Sequence, residues 1–235
     1  MLEVPESEIW RYLGYHGAVP SPEIRERIAV CLAKLEEAAR PQSVERLFPL
    51  TREEDSNAGS QDALDPDGAA PLIRIGTMEI RSRSLAKNLR GCREVCVLAA
   101  TLGHGPDRLL RRAEIESVVD AAVLQAAAAA MIEAWLDDIT SRLAETAARR
   151  KMFLRPRFSP GYGDCPLSVQ TDLLRLLDAQ KRVGIALTDA LMMLPTKSVT
   201  ALIGITDRPE PDHIHGCGSC ASIHCPYRRE TADSG

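Results

Sequence analysis

Residues 157–166 read Arg-Phe-Ser-Pro-Gly-Tyr-Gly-Asp-Cys-Pro, an order that no regular helix or strand accommodates. Two prolines and two glycines within ten residues fix some φ angles and free others, so the backbone is held to one irregular path. Helical patterns flank the stretch on both sides, which makes it a rigid connection with the rest of the chain as its scaffold. Such a connection suits ligand contact. Arg157 offers a planar fork of donors shaped for a carboxylate, Gly161 lets a ligand approach the main chain, and Tyr162 brings a flat face and a hydroxyl. The same residues also fit a plain surface connection whose arginine pairs with a neighbouring helix.

Upstream, a helical pattern over about 116–149 carries Val118, Val119, Ala122 and Val123 and then an alanine run that lets a second backbone pack close. Unbroken, it spans on the order of 50 Å. Glu133 lies inside it beside Met131, Ile132, Ala134, Trp135 and Leu136, where a carboxylate calls for a cationic partner. Asp137 and Asp138 follow at once, so a solvated helix face remains the plain alternative. Downstream, Leu167–Val183 is amphipathic, with Leu173, Leu174 and Leu177 opposite Asp172, Arg175, Asp178 and Lys181, and Gly184 closes it as a C-cap. Met192-Met193-Leu194 reads as a strand beside a second one, Val199–Ile205.

The first hundred residues predict alternating helices and strands. A short helix over 5–15 carries Ile9, Trp10 and Leu13; a second has Ser21 as N-cap and Pro22 at its first position. Ile24, Ile28, Cys31, Leu32 and Leu35 recur there at three and four, which makes Cys31 a buried small hydrophobe. Ser43–Leu50 reads as a strand, 51–70 as a flexible loop, 72–75 and 78–80 as a strand pair, and Ser84 as the cap of a following helix. The continuous β-prone run Glu94–Ala100 predicts a buried central strand. Cys96 is then structural, and Cys92 is left open. Thr101–Asp107 follows that strand with two glycines and His104, a geometry that serves an anion or simply a turn.

With 235 residues, 45% of them hydrophobic, the chain can fill one large core. The net charge of −4 and pI near 5.8 provide no basic stripe, so nucleic acid is not an expected partner. No apolar run of membrane-spanning length is read, and the opening Met1-Leu2-Glu3-Val4-Pro5-Glu6 has no secretory pattern, so a cytoplasmic protein without a membrane partner is expected. Seven cysteines, three of them crowded near the C-terminus, suit a reducing compartment with metal or redox use.

The pattern Arg157-x3-Gly161-Tyr162, followed by x2-Cys165-Pro166, a helix, the run Gly184–Pro195 and Ser198-Val199, resembles the activation domain of cobalamin-dependent methionine synthase over roughly residues 90–205. The resemblance implies an α+β fold, an antiparallel or mixed sheet packed by long helices, with the Arg157 loop at an edge. It implies S-adenosylmethionine held by Glu133, Arg157, Ser159, Gly161 and Tyr162, with no catalytic acid or base. It further implies reductive methylation of a cobalamin that has slipped to Co(II), with an outside electron donor. The cobalamin is expected on a corrinoid-binding protein or methyltransferase of a separate chain. One departure stands out: the family's last strand leads to paired aromatics, and Ala201–Thr206 has none.

In place of that ending stands Cys217-x2-Cys220-x4-Cys225, whose short spacing lets three thiolates converge on zinc or an iron–sulfur cluster. A fourth ligand is open among His213, His215, His224, a second chain's cysteine and Cys165, and a metal-free tail of thiols is the plain alternative. The expected organisation is a helical region at 1–50, a loop at 51–70, an activation-domain-like core at 71–208 and the Cys-rich tail at 209–235. A second functional class is a metal-bearing adaptor or electron carrier that docks a corrinoid protein without binding S-adenosylmethionine.

Overall fold

The computed structural model describes residues 2–15, 18–52 and 70–209. Cys217, Cys220, Cys225 and the tail histidines lie outside the described residues, as does most of the 51–70 loop. The elements run α1 (Glu6–Tyr12), α2 (Pro22–Ala38), β1 (Gln42–Arg52), β2 (Leu72–Ile75), β3 (Met78–Arg81), α3 (Arg83–Asn88), β4 (Glu94–Thr101), α4 (His104–Glu116), α5 (Val118–Arg149), β5 (Phe153–Leu154), α6 (Val169–Leu177), α7 (Ala179–Val183), β6 (Ala186–Leu187), β7 (Met193–Leu194) and β8 (Ser198–Thr206). The main sheet has the order β3-β2-β1-β4-β8-β5, and every pairing in it is antiparallel. This is an α+β fold.

Strand β4 shows why the sheet needs helices on both faces. Val95, Val97 and Ala99 point into a core shared with α3, α6 and α7. Cys96, Leu98 and Ala100 point into one built on Leu136 and Ile139 of α5. A strand buried on both sides has no reason to alternate in polarity, which accounts for its unbroken apolar sequence. Burial pushes the Cys96 thiol up to about 12, consistent with a packing role. Cys31 and Cys92 are buried as well.

Helix α5 is capped by Ser117, whose hydroxyl accepts from the Asp120 amide. Its N-terminal half packs on α1, α2 and α4, and its C-terminal half covers the sheet. By length and composition this helix is apolar enough to cross a membrane, contrary to the sequence expectation of no such run. Its buried positions pack on neighbouring helices and on β4 and β8, while Val118 and Val119 at its start are exposed. The glycines before α4 serve close packing: at Gly105 a Cβ would collide with the Ala38 carbonyl at the end of α2, and Gly103, at φ +78°, lies against Arg40. Asp107 in that first turn accepts from the Thr196 amide at 2.9 Å, so a carboxylate already occupies this helix end.

Three local expectations are corrected. The cap of α3 is Ser82, whose hydroxyl accepts from the Leu85 amide at 3.0 Å, and Ser84 sits inside the first turn. The amphipathic 167–183 stretch is two helices, divided at Asp178 with φ +51°, a left-handed position that a short polar side chain tolerates. Strand β7 pairs with β6 in a small hairpin and not with β8.

Candidate functional site

The Arg157 loop is the frayed continuation of the sheet edge. Strand β5 pairs with the end of β8, the Arg155 amide donates to Gly204 O at 2.8 Å, and Phe158 bridges to Leu202 in both directions. Beyond Phe158 the chain leaves the sheet. The Tyr162 amide donates to Ser159 O, the Gly161 amide to Cys165 O and the Cys165 amide to Tyr162 O, at 3.3, 3.0 and 3.1 Å, so the turn closes on itself. Gly161 has φ +91°, and the Tyr162 side chain stands out with 69% exposure.

Both ends of this loop are tied down. Asp164 accepts from Ser82 Oγ at 2.7 Å and from the Arg83 and Ser84 amides at 2.7 and 2.9 Å, acting as a second cap for α3. Those hydrogen bonds, the Ser82 hydroxyl first, hold its carboxyl well below the usual carboxylate range. The Cys165 side chain fills the core, and burial raises its thiol.

Arg157 reaches back to α5. Its Nη2 lies 3.2 Å from Glu133 Oε2, and its Nη1 lies 2.8 Å from Asp137 Oδ1 and 3.1 Å from Thr140 Oγ1. These three positions, four and then three apart, form one stripe of the helix. Thr140 donates to Leu136 O, which leaves its oxygen free to accept from the guanidinium. A guanidinium has five donors, so among the described residues three are engaged, and Nε and one Nη2 hydrogen remain. The Arg157 side chain is 24% exposed, which keeps it within reach of a solute.

Glu133 and Arg157 are thus brought together, with Ser159, Gly161 and Tyr162 on the turn that follows. The two charged groups contact each other directly. Asp137 and Thr140 escaped the sequence reading as partners of Arg157. The three-and-four spacing from Glu133 is the available signal. Among the described residues no group of three or more His, Cys, Asp or Glu could hold a metal.

The family described as "Vitamin B12 dependent methionine synthase, activation domain" matches residues 97–214, half of the chain. The chain belongs to this family. The matched stretch holds most of β4, all of α5, the Arg157 loop and β8, while α3, which Asp164 caps, lies before it. Among solved structures, the crystal structure of the MetH reactivation domain bound to AdoHcy superposes on this chain with a TM-score of 0.56. It is 17% identical, over 86% of this chain and 77% of that one. That likeness concerns the fold. None of the curated proteins matches the chain.

Proposed function

We propose that this activation-domain protein reactivates a corrinoid methyltransferase carried on a separate chain, by binding S-adenosylmethionine at the Arg157 loop and presenting its methyl group. The observation that carries the proposal is the state of Arg157. Glu133, Asp137 and Thr140 hold its guanidinium in one orientation, and the Nε and remaining Nη2 donors are the kind of pair that a carboxylate takes in two parallel hydrogen bonds. A pre-oriented fork loses less freedom when the ligand arrives.

The residues fit the ligand by chemistry. Arg157 would hold the carboxylate, and Glu133 would accept from the ammonium or the ribose hydroxyls. Gly161 allows approach to the main chain, and Tyr162 offers a face. On transfer the S–CH3 bond breaks, its electron pair stays on sulfur, and the sulfonium becomes a neutral thioether. The corrinoid, when bound on the partner and reduced by one electron from a donor, supplies the nucleophile that accepts the methyl group. This chain needs no acid or base for that step; its part is to orient the methyl group and exclude water.

For the tail we propose a metal site on Cys217, Cys220 and Cys225, zinc or an iron–sulfur cluster, the latter able to pass the reducing electron. Its support is the donor chemistry of three closely spaced thiolates. Metal, iron and acid-labile sulfide analysis of anaerobically purified protein tests it, and protein that copurifies with no metal overturns it.

Calorimetric titration of the whole chain with S-adenosylmethionine tests the principal reading. Arg157→Ala should weaken binding by about a hundredfold, the scale of a lost charge-assisted bidentate contact. An affinity indifferent to that substitution overturns the site. A second reading takes its support from the three α5 partners of Arg157, which suit a purely structural arginine. On that reading the protein docks a corrinoid protein without S-adenosylmethionine, and the titration gives no heat.

A further inference from the structure

Arg157 brings one positive charge to a stripe of α5 that brings two negative ones, Glu133 and Asp137. The next carboxylate along the helix, Asp138, is paired with Arg142, so those two charges offset each other. The groups around the guanidinium therefore sum to one negative charge. A plain zwitterionic amino acid, with ammonium and carboxylate in balance, does nothing to neutralise it. A sulfonium amino acid carries one further positive charge and does.

We propose that Asp137 makes this site select the sulfonium form of its ligand over the neutral thioether, favouring the methyl donor over the spent product. The inference rests on the reading of the Arg157 loop as an S-adenosylmethionine site. Asp137 is suited to the task because it grips Nη1 together with Thr140, leaving the Nε donor to a ligand. It acts on the sulfonium through its field, not by contact. With a separation of ~8 Å and an effective dielectric of ~40, intermediate between protein surface and water, one charge pair shifts an equilibrium constant by about fivefold. That is enough to bias the site toward the charged donor and to loosen the product once the sulfonium has become a thioether.

Positioning and charge can be separated at this residue. In Asp137→Asn the amide oxygen still accepts from Nη1, so the guanidinium keeps its orientation and only the charge is lost, while Asp137→Ala removes both. The Asp137 side chain is 56% exposed, and such surface substitutions are tolerated by the fold. The experiment is calorimetric titration of the full chain with S-adenosylmethionine and with S-adenosylhomocysteine, for the wild type and both variants. The wild type should prefer S-adenosylmethionine; Asp137→Asn should weaken that ligand about fivefold and leave S-adenosylhomocysteine unchanged, and Asp137→Ala should weaken both. In the wild type alone, added salt should narrow the gap between the two ligands by screening the charge. An Asp137→Asn variant that shifts both ligands equally, or a wild type that prefers the thioether, overturns the inference while the site stands. Absence of binding by either ligand overturns the site reading and this inference with it.

Discussion

Asp164 is the residue on which the loop's shape turns. Its carboxylate caps a helix 80 positions upstream through the Ser82 hydroxyl and two amides. At Gly163, with φ +58°, any Cβ would run into Ser84 Oγ. The approach that allows the cap is thus open only to glycine. Asp164→Ala should cost about 1 kcal/mol in urea unfolding at pH 7, the usual value of a lost cap and discounted for solvent exposure. Because the folded carboxyl titrates below its ordinary value, its contribution is full above the unfolded pKa and fades as pH falls through the acid range. The gap between wild type and variant should therefore shrink from about pH 4 downward. A gap that widened on acidification would contradict the capping role.

Among the elements, α2, α4 and α5 show how much a helix depends on what it meets. The Gly105 position lies in the first turn of α4, where alanine would by propensity add about 1 kcal/mol of stability. Here the collision with the Ala38 carbonyl decides the sign, since a backbone oxygen cannot swing aside as a side chain would. Gly105→Ala should lower stability by about 2 kcal/mol or more, read from the midpoint of thermal or denaturant unfolding. Helix α5 joins the two halves of the molecule: Trp135 donates to Gln42 O at the start of β1, and two residues before and after it Glu133 and Asp137 hold Arg157. The long periodic run announced this helix. Nothing in its period told which of its polar residues would meet the loop, because Glu133, Asp137 and Asp138 look alike as a solvated face.

For the whole molecule, the sheet order decides where the site can be. Strand β8 pairs with β4 on one side and leaves its other edge to β5 and to Phe158, so the loop emerges beside α5. A ligand bound there stabilises the folded state by mass action, about 2.7 kcal/mol at a hundredfold excess over its Kd. S-adenosylmethionine should accordingly raise the melting temperature of the wild type and raise that of Arg157→Ala far less, as differential scanning fluorimetry would report. An equal rise in both would place the ligand elsewhere.

What could be read from the sequence was what local chemistry decides. Proline and glycine spacing marks residues 157–166 as irregular, apolar periodicity marks α2 and α5, an unbroken β-prone run marks β4, and the family motif follows residue order along the chain. What only the tertiary structure decided was each pairing between distant segments: Arg157 with Glu133, Asp137 and Thr140, Asp164 with α3, β7 with β6, and the left-handed turn at Asp178 that divides α6 from α7. Such contacts depend on which surfaces the packed sheet sets opposite one another, and a short-range pattern carries no record of that.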